Sequence, residues 1–216
     1  MLSSNIRAVL GRALLGVTVF TAVACTPVQV LTHTVSQNET RVPPGQYALD
    51  PDHCSITFDV DHFKYTRFTM RFDRKQGQLD WHDGGMDSSV ATIVVDAESV
   101  DTNVPALDKM VKGANMLDVS RYPEIRFVST HFERSGESRG TLTGDLTIHG
   151  VTQPVSLDVS FNGFGRDPLN KKDTLGFSAD GHFSRAKFGL STWYPAVGDD
   201  IHVRIQAEFV KTPAGA

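Results

Sequence analysis

The chain has 216 residues, with 21 Lys and Arg against 25 Asp and Glu, a formal net charge of −4. Residues 1–24 carry Arg7 and Arg12 and no acid; removing those two arginines leaves 19 basic against 25 acidic residues, a charge of −6. That sign excludes a nucleic-acid platform and a purely electrostatic hold on an anionic membrane, while the remaining length suffices for one domain with a sizeable core.

Residues 1–24 read as a signal peptide. Arg7 and Arg12 supply the positive flank, residues 13–20 an apolar core of h-region length, and Ala22-Val23-Ala24 the small residues of a cleavage position. The apolar run is too short and interrupted to span a membrane. Cleavage would leave Cys25 first. Ala22-Val23-Ala24-Cys25 resembles a bacterial lipobox, which would acylate Cys25 and tether the protein; ordinary cleavage at the same site would instead release a soluble periplasmic protein. The expected location is the periplasm, lipid-anchored through Cys25, and at the outer membrane in a Gram-negative cell because Thr26 follows the cysteine. Residues 25–45 are polar, end in Pro43-Pro44-Gly45, and read as a lipidated or flexible linker, about 70 Å long at full stretch. Cys54 then has no intrachain partner and reads as a buried thiol at a strand start.

Residues 46–211 form the expected domain, followed by a tail over 212–216. Period-two alternation recurs through it: Ile56, Phe58, Val60; Phe68, Met70, Phe72; Leu79, Trp81; Ala91, Ile93, Val95; Ile125, Phe127. It continues in Leu142, Gly144, Leu146, Ile148, then Val155, Leu157, Val159, Phe161, then Phe177, Ala179, Gly181, Phe183, and last Ile201, Val203, Ile205, Ala207, Phe209. Each strand should bury one face and wet the other. Gly and Asp clusters mark turns, and residues 149–154 read as the joint between two strands. One helix interrupts the pattern: Leu107, Met110, Val111 and Ala114 share a helical face, Pro105 suits the first turn, and Asn103 or Thr102 is placed to cap it. It is expected over about 104–117, covering one end. The fold class is all-β, a single antiparallel barrel, in which sequence neighbours pair and no edge is left open.

Gly144-x-Leu146-Thr147-Ile148-x-Gly150-Val151-Thr152-x-Pro154-Val155 resembles the signature of the YceI-like family. Other segments agree in order: Tyr47-Ala48-Leu49-Asp50 with His53, then Phe58 and His62, Ser99-Val100-Asp101-Thr102, Tyr122-Pro123-x-Ile125, Gly176-Phe177-Ser178-Ala179, and Ser184-Arg185 to Phe188-Gly189. The chain departs from the pattern at Cys54, at Arg71 before Phe72, and at Lys109-Met110. The resemblance implies a lipocalin-like barrel of about eight strands, a size that can hold one lipophilic ligand. It also implies a bound polyisoprenoid, quinone or fatty-acid-like lipid, no required cofactor, and a homodimer as one assembly seen among members.

Candidate cavity-lining residues are Phe58, Phe68, Phe72, Trp81, Ile93, Phe127, Leu146, Ile148, Phe177, Phe183 and Phe188. Filling a packed core is the competing account of each. His53, His62 and Arg185 are candidates for the ligand headgroup at the opening, with a structural role the alternative for Arg185. There is no H-x-H, H-E-x-x-H or C-x-x-C spacing, so no metal is expected. There is no G-x-S-x-G elbow, so no catalytic residue is expected. The reading is binding, transport or storage of a long apolar lipid in the cell envelope, not an enzyme. The alternatives are a redox or haem-associated protein presenting a quinone to a membrane partner, and a stress-related envelope protein.

Overall fold

The computed structural model describes residues 30–213; the expected signal peptide and Cys25 lie outside the described residues. Eleven strands form one antiparallel sheet: β1 (Gly45–Leu49), β2 (Ser55–His62), β3 (Thr66–Phe72), β4 (Lys75–Trp81), β5 (Val90–Asp96), β6 (Val100–Asp101), β7 (Glu124–Gly136), β8 (Arg139–Ile148), β9 (Val151–Arg166), β10 (Asp173–Ser184) and β11 (Val197–Lys211). Eight of them close a ring in the order β1-β4-β5-β7-β8-β9-β10-β11, with β11 returning to β1. β11 is long enough to share one edge between two partners. Phe209–Lys211 pairs with β1, and residues 197–206 pair with β2, from which β3 and β6 continue.

The alternation decides which way each strand faces. In β9, Val155, Leu157, Val159 and Phe161 are buried and the residues between them are exposed. On the outer face Thr143 meets Ser156 at 2.9 Å and Thr147 meets Thr152 at 2.8 Å across β8 and β9, the cross-strand pairs that fix register. The joint between these strands is shorter than the residue pattern suggests. It is only His149 and Gly150, both at positive φ (51° and 74°), as a two-residue type I′ hairpin requires. Val151 to Pro154 already belong to β9. Counting back from that turn puts Pro154 opposite Asp145 in a non-hydrogen-bonded pair. Its missing N–H therefore faces an edge that β10 does not reach, since the β9–β10 pairing stops at Leu157.

β7 carries a bulge at Thr130, where Ser129 pairs with Gly144 and His131 with Thr143. The extra residue resets the phase, so Ile125, Phe127 and Ser129 face inward before it and Phe132 after it. Gly144 admits the Phe127 ring: a Cβ there would lie 2.4 Å from it.

The helix α1 (Pro105–Lys112) is shorter than the 104–117 span expected, because Gly113 ends it with its N–H on the Met110 carbonyl. Val111 is buried, but Met110 is 46% exposed and Ala114 lies beyond the helix. The inward face is continued instead by Met116 and Leu117. Neither Asn103 nor Thr102 caps it; the N-cap is Val104. Thr102 works in the opposite sense, donating its N–H and hydroxyl to the Asp108 carboxylate at 2.7 Å each. Those bonds hold the Asp108 carboxyl below its usual range.

The segment expected to be a linker is docked from Ser36 onward. Ser36 pairs with Phe164, and Val42 is buried. The Glu39 carboxylate accepts from Arg134 (2.9 and 3.0 Å) and from the Met86 N–H (3.0 Å). Glu39 thus finds its partners on the barrel rather than in water, while Asn38 and Thr40 bond to each other. At the other terminus Thr212 donates its N–H and hydroxyl to the Gln46 carbonyl.

Candidate functional site: an apolar cavity in the barrel

The barrel encloses a cavity of about 310 Å³. Its wall comes from the inward face of nearly every strand, with Val111, Met116 and Leu117 from α1 and the segment after it. Phe58, Phe72, Trp81, Ile93, Phe127, Leu146, Ile148, Phe177 and Phe183 all line it. Two of the expected lining residues do not. Phe68 packs with Val60, Met70 and Ile201 in a separate small cluster. Phe188 is 1% exposed and sits behind Phe183, ring to ring at 5.5 Å.

The two ends differ. At one end Trp81, Phe161, Phe177 and Phe209 form a chain of ring contacts 5.4–6.3 Å apart. Beside them Tyr47 is fully buried and donates its hydroxyl to the Pro43 carbonyl at 2.6 Å. Burial, with Asp173 adding negative potential, pushes the Tyr47 hydroxyl up to about 12. This end is the floor. At the opposite end the segment 189–197 meets both the β2–β3 hairpin and the residues that follow α1. The Phe63 N–H donates to the Ala196 carbonyl (2.8 Å), and the Thr192 hydroxyl to the Asn115 carbonyl (2.6 Å). Phe63, Tyr65, Trp193 and Tyr194 are exposed there.

Among the described residues, Arg185 is the only charged one in the cavity wall. It is 6% exposed and donates to the carbonyls of Gly198 (2.7 Å), Val197 (2.9 Å) and Leu190. Burial lowers its pKa, partly offset by Asp199. Those bonds clamp the turn 185–190 to the start of β11, which answers to a structural role. Three of the five guanidinium N–H groups are used, leaving two. The two histidines stand outside the wall. His53 is exposed and bonded to Asp50 at 2.9 Å, which raises its pKa. His62 lies at the hairpin end, with its ring against Phe63 and Phe68. Cys54 lines the cavity, and burial pushes its thiol pKa up, which leaves it a poor nucleophile.

The wall residues that come from turns carry no periodic signal in the sequence. Met86 and Ser89 come from the β4–β5 connection and Leu190 and Thr192 from the segment before β11. None of them belongs to an alternating run.

The family model for the YceI-like domain matches residues 47–209. The chain belongs to the YceI-like family. A UPF0312 protein of Pseudomonas putida (strain W619) is 33% identical over 148 residues, covering 68% of this chain and 77% of the relative. Among solved structures, Burkholderia cenocepacia BcnA superposes with a TM-score of 0.67 at 20% identity, covering 74% of this chain and 98% of that one. A polyisoprenoid binding domain from Saccharophagus degradans superposes with a TM-score of 0.57 at 13% identity, over 77% and 98%. The YceI-like motifs now have structural reasons. Tyr122 of the Y-P segment lies over the His149-Gly150 turn, ring to ring with His149 at 4.6 Å, where a Cβ on Gly150 would strike it at 2.5 Å. Ser99 donates its hydroxyl to the Asp96 carbonyl at 2.6 Å and accepts from the Arg74 N–H at 2.9 Å, and Thr102 anchors α1.

Proposed function

We propose that this protein binds the apolar chain of a lipid inside the barrel. The observation that carries the reading is a wall that is apolar apart from Arg185 and a few small polar groups. Water has few partners in such a space, while a hydrocarbon loses nothing there. A cavity of about 310 Å³ is about twice the ~150 Å³ engineered pocket that accepts benzene, so it holds about a dozen carbon atoms. Burying that many methylenes is worth about 10 kcal/mol at ~0.8 kcal/mol each, before the cost of immobilising the ligand. A polyisoprenoid, quinone or longer acyl chain would place one such stretch inside and pass the rest out beside α1. An acidic or phosphate headgroup would meet the two remaining N–H groups of Arg185. The Saccharophagus neighbour's description as a polyisoprenoid binding domain supports this class of ligand. The role is carrier or store rather than enzyme. With the leader and Cys25 as read from the sequence, it acts in the envelope, tethered to the membrane.

Native mass spectrometry of the protein from a bacterial host tests this. A co-purified lipid, or uptake of added isoprenoid or fatty acid at one per chain, is expected. A lipid-free protein that takes up neither would overturn the proposal. Arg185→Lys should weaken binding of an acid about tenfold more than it weakens binding of a hydrocarbon of equal length, the hydrocarbon reporting the loss of the carbonyl clamp.

A further inference from the structure

The outer face of the barrel carries a cluster that the lipid cavity does not use. His182 on β10 and His202 on β11 are directly opposite in register, and their rings stack in parallel with centroids 4.3 Å apart. Asp180 lies two residues before His182, so it projects from the same face. Its carboxylate is 2.7 Å from His202 Nε2. The ligand atoms of Asp180, His182 and His202 lie within 4.8 Å of one another.

The surroundings are built as a metal site's are. A histidine that binds metal through one nitrogen is usually held by a carboxylate at the other. His202 has Asp59 Oδ2 3.5 Å from its Nδ1, and Asp59 is 2% exposed. Asp59 is itself fixed by Arg204 (2.9 Å) and by Arg67. His182 has Asp200 at 3.0–3.1 Å from its Nδ1, and among the described residues its Nε2 makes no hydrogen bond. Both Nδ1 atoms are thus oriented by acids. One Nε2 is free and the other is held only by Asp180. The charged groups facing the pair are Asp59, Asp180 and Asp200 against Arg67 and Arg204, which leaves one negative charge when both imidazoles are neutral.

We propose that His182, His202 and Asp180 form a divalent transition-metal site of the Zn²⁺ or Cu²⁺ class on the outside of the barrel. Two imidazoles and a carboxylate suit these ions rather than Ca²⁺ or Mg²⁺. His182 and Asp180 are exposed, so side-chain rotation brings three donors to the ~2.0–2.2 Å that zinc requires, with the fourth position open to solvent. The site spans β10 and β11 and depends on their register, not on any local motif. The second cluster, Asp50, His53 and Glu208, has a single imidazole and serves as an internal control.

Isothermal titration of untagged protein with ZnCl₂ near neutral pH tests the site, with Cu²⁺ electron paramagnetic resonance as a second readout. One equivalent should bind in the micromolar range, with hyperfine structure from two imidazole nitrogens. His182→Ala and His202→Ala should each weaken binding at least tenfold without lowering the thermal midpoint of the metal-free protein, while His53→Ala leaves binding unchanged. Binding that survives both substitutions, or that is lost in His53→Ala, would overturn the proposal, as would no binding below millimolar zinc. If His202→Ala disturbs the Asp59 network and unfolds the protein, the exposed His182→Ala variant decides alone.

Discussion

The two ends of the barrel are made differently. The floor is sealed three times: by the ring chain around Trp81, by Tyr47 with its hydroxyl on Pro43, and by the segment that Glu39 ties to Arg134 and Met86. The other end is closed by a helix of two turns and by connections whose aromatic residues face solvent. A cavity with one permanent wall and one weakly held lid loads from the lid side. Local opening is drawn from segments with little buried apolar area, and that describes α1 with Val111 as its only fully buried residue.

Substitutions at the two ends should separate in size. Trp81→Ala removes the centre of the floor and should cost about 3–5 kcal/mol in denaturant unfolding. Next in size is the response of the floor to alkali. The Tyr47 pKa is about 12 in the folded protein against about 10 in an unfolded chain. The unfolded state therefore loses its proton first. Stability is intact below about pH 10 and falls between about pH 10 and 12, by at most about 2.7 kcal/mol at ~1.36 kcal/mol per pH unit. In Tyr47→Phe that decline should be absent from the titration. Glu39→Ala should cost about 1.5 kcal/mol and make residues 36–44 the first site of limited proteolysis. Trp193→Ala at the lid should change stability by less than about 0.5 kcal/mol, yet alter the rate of lipid uptake in stopped-flow measurements. Equal stability effects at Trp81 and Trp193 would break the distinction between the ends.

The sequence reveals the wall of the site better than its ends. Alternation places Ile201, Val203, Ile205, Ala207 and Phe209 on one face, and all five line the cavity. The same signal cannot separate Phe127, which lines it, from Phe68, which packs in a side cluster. Phe68 shares its strand face with Met70 and Phe72, which do line the cavity; it lies nearer the β2–β3 hairpin, and alternation does not show where along a strand the cavity ends. The bulge at Thr130 is silent in composition, so Phe132 could not be assigned a side. Arg185 stands out as a lone cation in an apolar stretch, but its three carbonyl partners come from the segment 190–198. The pairing of His182 with His202 joins residues twenty positions apart and follows from the β10–β11 register alone.

The chain has two tryptophans, one at each end of the cavity, so fluorescence can report on the floor alone. In Trp193→Phe protein, Trp81 is the only fluorophore of its kind, 1% exposed and lining the cavity. A saturated fatty acid of about a dozen carbons, brominated at its terminal methyl, should quench Trp81 saturably and by more than half. The same acid brominated beside its carboxyl should quench it little. Equal quenching by both, or none at saturating lipid, would contradict a chain held tail-down in the barrel.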